Sequence, residues 1–301
     1  MAAPFSYADA FDRNLGWFTE KEQQSLRGKT IAIAGMGGVG GVHLLTLVRL
    51  GFSKFRIADL DVFEVPNFNR QVGAMMSTLD QPKVAVLARM AKDINPQVEI
   101  TEFAAGVTAE NLDDFLRGAD LFIDGFDFFV LDIRRQTFAR CRALGIPAMT
   151  AAPVGMGVAF LLFTADSMTF EDYFRFEGKS ELRQYINFLM GLAPSGMHRA
   201  YLVDPSRLDI ARRKAPSTMI GVQLCASFTA AQAVKLLLGR GPVKAAPFHY
   251  HFDSYLNIFK AGPRRGNNGL IQRLKGDAVE RTLKKQLESG RAELFPSTAG
   301  R

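Results

Sequence analysis

The chain has 301 residues, 48% of them hydrophobic, a formal net charge of +7 and two cysteines. That is enough apolar material for one large domain or two small ones. The positive charge is spread along the chain, with "PRRG" and "TLKKQ" as its local clusters, and Cys141 and Cys225 lie far apart with no CxxC pair; nucleic acid is therefore not the expected partner, a zinc ribbon is excluded, and a reducing compartment fits.

The first segment, "MAAPFSYADAFDRN", lacks the apolar core of a signal peptide. Residues 1–27 read as an N-terminal helical arm. From Lys29 to Pro153, strand and helix patterns alternate. "KTIAIAG" is a strand and "GGVHLLTLVRLG" a helix. "KFRIADLD" is a strand, and "PKVAVLARMAKDI" a helix entered at Pro82 and closed by Asn95-Pro96. "QVEITEFA" is a strand, and "TAENLDDFLRGA" a helix that Thr108 can cap. "DLFIDGFD", "VLDIRRQTFARCRALG" and "IPAMTAAP" continue as strand, helix and strand. This alternation predicts an α/β fold: a Rossmann-like, doubly wound, mainly parallel sheet with helices on both faces.

The rhythm changes after Gly155. "GVAFLLFTA" is strand-like, and residues 166–216 form a long excursion holding one helix, "ELRQYINFLMGLA"; loops of this length usually carry function. "MIGVQLCASFTAAQAVKLLLG" is a long, mostly buried helix. "FHYHFDS" and "LNIFKAG" pair as a C-terminal antiparallel extension, and 263–301 is a basic tail with one helix, "DAVERTLKKQLES". Two stretches carry no charge, 144–165 and 215–234. Prolines and glycines break the first, and Gln223, Ser227, Thr229 and Gln232 interrupt the second, so both read as buried elements rather than membrane spans. A soluble cytoplasmic protein is expected.

Gly35, Gly37 and Gly40 fit G-x-G-x-x-G between a strand and a helix, with Gly38 as a fourth glycine. The first glycine makes the turn, the second lets backbone approach phosphates, and the third lets the helix pack on the strand. Phosphate then sits on a helix N-terminus, where free N–H groups and the dipole favour anions. Asp59 ends the next strand, nineteen residues on from Gly40, where an acid binds ribose. These features suit NAD(P) and ATP equally. The following loop carries Asn67, Asn69, Arg70 and Gln71, and Lys83 opens the next helix. An arginine and a lysine suit a triphosphate better than a nicotinamide. Asp124 and Asp127 lie at the carboxyl end of a later strand, where an aspartate can hold Mg²⁺ against phosphates or cap the next helix.

Taken in order, GMGGVG, D-x-D, N-x-N-R-Q, Q-P-K with "INP", and D-x-x-D resemble the ubiquitin-activating-enzyme family of adenylyltransferases, the ThiF, MoeB and HesA type. "GVQLCASFTAAQAVKLLLG" resembles that family's late helix. The resemblance implies an adenylation domain over 28–262, with 166–216 as an insertion or substrate-recognition segment. It implies that Gly35, Gly37, Gly38 and Gly40 hold the phosphates of ATP and that Asp59 binds ribose with Asp61 beside it. Asn67, Arg70, Gln71 and Lys83 would then address the phosphates, and Asp127 would ligate Mg²⁺. "FDRN" resembles the family's N-terminal arginine motif, so Arg13 is expected to reach across a homodimer into the partner's ATP. The implied reaction is attack of a carboxylate on the α-phosphate, giving an acyl-adenylate and pyrophosphate. The carboxylate is the C-terminus of a small Gly-Gly-ending carrier protein or a peptide, or, as a variant, a small-molecule or tRNA-linked carboxylate. The alternatives are an NAD(P)-dependent oxidoreductase and a non-catalytic subunit of the same family.

Two departures from the family pattern matter. Its paired CxxC motifs are missing, and "DSMTFEDYFRFEG" has no cysteine where many members place one, so no enzyme thioester is expected. Cys225 and Cys141 read as core. His249 and His251 fall on one face of a strand without an evident third metal ligand, while His43 and His198 have no partner visible in the sequence. Arg199, Arg207, Arg212 and Arg213 in the excursion are candidates to receive an acidic partner.

Overall fold

A computed structural model describes residues 4–207, 215–263 and 266–288. Its core is one eight-stranded sheet in the order β3-β2-β1-β4-β5-β6-β7-β8. The strands are β1 Thr30–Ala34, β2 Lys54–Ala58, β3 Glu99–Phe103, β4 Leu121–Asp124, β5 Ala148–Val154, β6 Gly157–Phe163, β7 Phe248–Asp253 and β8 Ile258–Pro263. The pairings from β3 through β5 are parallel, and β5 through β8 continue antiparallel. This is the doubly wound sheet with an antiparallel extension that the alternation predicts.

Side-chain alternation along the strands sorts the core into two layers. Ile31, Ile33, Leu121, Ile123 and Met149 face one way. They meet helices α3 Gly38–Arg49, α4 Lys83–Ile94 and α9 Met219–Leu237. Ala32, Ala34, Phe122, Ala148 and Leu161 face the other way. They meet α5 Leu112–Leu116, α6 Asp132–Leu144, α7 Phe170–Phe174 and α8 Glu181–Leu192. Among the described residues, α9 is the one helix long and apolar enough to cross a membrane. It packs instead on α3, β5 and β6, with Val222, Cys225, Ala226, Thr229 and Ala233 buried.

The N-terminal arm consists of α1 Tyr7–Phe11, a 3₁₀ turn Asp12–Asn14 and α2 Glu20–Gly28. The Tyr7 hydroxyl donates to Gly51 O at 2.7 Å, and Gln23 Nε2 donates to Leu50 O at 2.9 Å. Arg240, beyond the end of α9, donates to Trp17 O at 2.7 Å. The arm is therefore fastened at the C-terminal ends of α3 and α9.

Several elements differ in extent from the sequence expectation. The helix expected over 108–119 shortens to α5, because Thr108 and Asn111 exchange side-chain hydrogen bonds and spend the capping group on a turn ahead of the helix. The excursion 166–216 holds α7 in addition to α8; five residues are too few to show a helical period. The last helix, α10 Leu270–Glu288, begins well before the expected Asp277. Gly276 hides it. A Cβ there would sit 2.7 Å from Arg183 Nη2, so this helix-weakening residue is what lets the Arg183 guanidinium lie against the helix. Arg183 Nη1 then pairs with Asp277 at 2.7 Å and Glu280 at 2.9 Å.

Two buried histidines set an acid limit on this fold. His43 on α3 is 1% exposed, and burial pulls its pKa down to about 3. His251 on β7 is fully buried, and burial, with His198 nearby, pulls its pKa down to about 4 despite Asp253. The unfolded chain binds protons near pH 6.5 that the folded chain refuses. Both contributions are therefore complete above that pH and are lost as the pH falls toward 4. Each histidine is expected to cost about 1.4 kcal/mol of stability per pH unit in this window. Urea unfolding at pH 7 and pH 5 should show His43→Leu with a shallower loss than wild type; an unchanged pH dependence would contradict the assignment.

Candidate functional site

In a doubly wound sheet the ligand crevice lies where the strand order reverses, outside the carboxyl ends of the strands. Here that point is between β1 and β4. β1 is followed by Gly35, whose φ of +89° is open to glycine and strained for other residues. A Cβ on Gly35 would run into the Gly125 carbonyl, and a Cβ on Gly40 would run into the Gly35 carbonyl. A Cβ on Gly125 would lie 2.7 Å from Gly35 O. Three backbones from β1, α3 and the end of β4 thus meet in van der Waals contact. Gly37 and Gly38 differ. A Cβ on Gly37 would touch nothing closer than Gln71 Nε2 at 3.6 Å, and one on Gly38 nothing closer than Val222 at 3.5 Å. The protein itself does not require glycine at those two positions, whereas a ligand resting on the loop would.

Asp59 follows β2 and straps this loop. Its Oδ2 accepts from Met36 N at 2.6 Å and its Oδ1 from Asp61 N at 2.8 Å. Burial pushes its pKa above the usual carboxylate range, against the pull of those hydrogen bonds and of Lys83. Lys83 is 6% exposed. Its N–H donates to Asp61 O at 3.0 Å, and its Nζ pairs with Asp61 Oδ2, also at 3.0 Å. Between them runs the 62–82 loop. Asn67 is buried and its Oδ1 accepts from Glu64 N at 3.1 Å. Gln71 is 7% exposed, and its Oε1, an acceptor, has no hydrogen-bond partner, a costly arrangement for a buried amide. Arg70 Nη1 donates to Pro66 O and Asn69 Oδ1, each at 2.9 Å. Its side chain lies beside Gly38.

Asp127 stands two residues beyond Gly125 and is exposed. Its Oδ1 accepts from Phe129 N at 2.9 Å. It caps this turn and not the next helix, whose N-cap is Leu131. One oxygen is left for a cation, and Mg²⁺ commonly takes one or two carboxylates and fills its shell with phosphate oxygens and water. Among the described residues no group of three or more acidic, histidine or cysteine side chains could hold a metal by itself. Asp124 lies elsewhere: it is buried in an ion pair with Arg134 at 3.0 Å.

Asp59, Asp61, Asn67, Arg70, Gln71 and Lys83 are therefore linked by contacts around the glycine loop, with the Asp127 turn packed beside it through Gly125. Arg13 is not there. It is exposed on the 3₁₀ turn, between anchors at the far end of α3, whose twelve residues span roughly 18 Å. Neither cysteine is near reactivity: Cys141 and Cys225 are fully buried, and burial pushes both thiol pKa values up. His249 and His251 do share the buried face of β7, where they bond to Gly262 O and Ser195 Oγ. In the excursion, Arg199 is exposed and Arg207 pairs with Asp204. Arg212 and Arg213 lie outside the described residues. The Arg134 ion pair was not singled out from the sequence, where "DIRRQ" reads as an ordinary helix start.

A model of the ThiF family matches residues 11–268. The chain belongs to the ThiF family. It is 34% identical over 142 residues to the tRNA threonylcarbamoyladenosine dehydratase of Bacillus subtilis (strain 168), a match covering 47% of this chain and 55% of that one. It is 31% identical over 142 residues to the sulfur carrier protein ThiS adenylyltransferase of Escherichia coli (strain K12), covering 47% and 56%. The chain thus spans little more than half the length of these curated relatives. Among solved structures it resembles PaaA, with a TM-score of 0.64 at 16% identity over 87% of this chain and 76% of that one. It also resembles E. coli MccB crystallised with ATP, with a TM-score of 0.63 at 18% identity over 86% and 73%. At these identities the structural likeness establishes the fold.

The two kinds of glycine can be separated by substitution. Gly40→Ala should destabilise the protein by about 1–3 kcal/mol through overpacking. Gly37→Ala should leave the melting temperature unchanged yet weaken ATP binding by roughly tenfold in calorimetry. A melting temperature lowered by Gly37→Ala to the same degree as by Gly40→Ala would contradict this division.

Proposed function

We propose that this protein is an ATP-dependent adenylyltransferase that activates a carboxylate as an acyl-adenylate and releases pyrophosphate. The observation that carries the reading is the pair Gly37 and Gly38, which could each accept a Cβ but lack one, with Gln71 beside the first and Arg70 beside the second. A phosphate-bearing ligand on the α3 N-terminus meets N–H groups and the helix dipole. Arg70 offers a fork to phosphate oxygens, and Lys83, held by Asp61, offers a point charge. Asp59 faces the ribose. The free oxygen of Asp127 fits Mg²⁺, which would neutralise charge on the phosphates. A substrate carboxylate attacks the α-phosphorus, and the α–β bridging bond breaks with pyrophosphate leaving. The protein contributes positioning and charge neutralisation. Two buried, unreactive thiols support a reaction without an enzyme thioester.

The substrate proposed is the C-terminus of a small carrier protein or a peptide. Its support is the similarity to an enzyme named for the sulfur carrier ThiS and the likeness to MccB, which has been crystallised with MccA. The working unit proposed is a homodimer. Arg13 cannot reach the crevice of its own chain, and a second copy could supply it. The loop that carries Asn67 and Arg70 also exposes Leu60, Val62, Val65, Phe68, Met75 and Met76. An apolar group of this kind beside a site suits burial against another copy.

Calorimetry should show Mg·ATP binding, weakened roughly tenfold or more by Arg70→Ala, and no binding of NAD⁺. Tight NAD⁺ binding without ATP binding would end the proposal. In sedimentation, wild type should run as a dimer and Leu60→Glu/Met76→Glu as a monomer; a monomeric wild type would remove the role given to Arg13.

A further inference from the structure

The carbonyls of the turn that presents Asp127 are all taken by side chains. From Phe126 to Val130, every carbonyl is turned into the protein. Arg134 takes four of them: Nη2 donates to Phe126 O at 2.7 Å and Asp127 O at 2.9 Å, and Nη1 to Val130 O at 2.8 Å and Phe128 O at 3.4 Å. The fifth, Phe129 O, accepts from the Tyr185 hydroxyl on α8 at 3.0 Å. Arg134 Nε completes the set on Asp124, at 3.0 Å to Oδ2 and 3.2 Å to Oδ1. Asp124 is itself held by Thr150 Oγ1 at 2.8 Å. The guanidinium also lies 4.8 Å from the centre of the Phe188 ring, and Arg134 and Asp124 side chains are each 2% exposed.

A fully buried ion pair is a poor source of stability, since desolvation offsets most of the attraction. This one does something else. A planar fork with five donors can pin several carbonyls at once, which an ammonium cannot. Asp124 cancels the charge of Arg134 inside the protein, so the turn presents outward only the carboxylate of Asp127. We propose that Arg134 is a positioning residue for cation binding: by gathering four of the five carbonyls of 126–130 it fixes the direction of the free Asp127 oxygen toward the glycine loop. Through Tyr185 and Phe188 it also couples that oxygen to α8, within the excursion that is the expected substrate-recognition segment. The inference rests on the reading of Asp127 as a Mg²⁺ ligand in the proposed function.

The experiment measures ATP affinity of the full chain with saturating Mg²⁺ and with EDTA, together with amide hydrogen exchange over 126–131. Wild type, Asp127→Ala, Arg134→Lys and Asp124→Asn are compared. Arg134→Lys keeps the charge and loses the fork. It is expected to lose most of the Mg²⁺-dependent gain in ATP affinity, as Asp127→Ala does, while metal-free ATP affinity stays near wild type and the 126–131 amides exchange on the order of tenfold faster. Asp124→Asn, which leaves the guanidinium in place with a weaker anchor, should fall between wild type and Arg134→Lys; it carries the test if Arg134→Lys does not fold. If Asp127→Ala loses the Mg²⁺ gain and both other variants keep it, Arg134 is not the positioning residue and the proposal is overturned alone. If Asp127→Ala keeps the gain, the Mg²⁺ role of Asp127 is wrong and the proposal falls with it.

Discussion

The carbonyl of Gly35 touches two other glycines, Gly40 and Gly125, and the rest of the crevice depends on that contact. It brings the first turn of α3 down onto the end of β1 and the turn after β4 up beside it. No side chain can stand at any of the three points. The helix N-terminus and the Asp127 turn are therefore neighbours by backbone packing, before any polar group takes part. The strap from Asp59 to Met36 N–H then fixes the loop from the β2 side.

Around this contact the charges are paired in two distinct ways. Lys83 is held by Asp61, whose carboxylate is partly solvated. In the proposed function the lysine exchanges this partner for a phosphate. Arg134 and Asp124 are sealed in the interior and have nothing to exchange. Arg134 holds four carbonyls of the Asp127 turn as well as Asp124. Both cations are buried; what differs is the partner, an exposed carboxylate for Lys83 and a buried one for Arg134.

The excursion after β6 joins this arrangement through aromatic packing. Phe128 and Phe129 on the Asp127 turn meet Tyr185 and Phe188 on α8. On its other side α8 carries Arg183, which holds α10 through Asp277 and Glu280. The C-terminal helix, the excursion and the Asp127 turn form one continuous chain of contacts.

The sequence by itself determined the sheet and its contents. Strand-helix alternation from Lys29 to Pro153, the glycine loop, and the ordered motifs around Arg70, Lys83 and Asp127 are local signals, and locally encoded periodicity and turn chemistry survive reading one residue at a time. Tertiary structure decided what has no local signature. Gly37 and Gly40 look alike in sequence, yet only one is needed for packing, because only the fold reveals that the Gly35 carbonyl lies where a Cβ on Gly40 would go. Arg134 reads as a surface charge at a helix start until four of its donors find carbonyls and the fifth finds Asp124. Gly276 reads as a helix breaker until Arg183 is seen lying over it. Arg13 resembles a motif arginine in sequence, but its placement at the far end of α3 follows from where Tyr7 and Gln23 bind. In each case the deciding partner is distant in the chain or defined by backbone geometry, and neither is written in the identity of the residue itself.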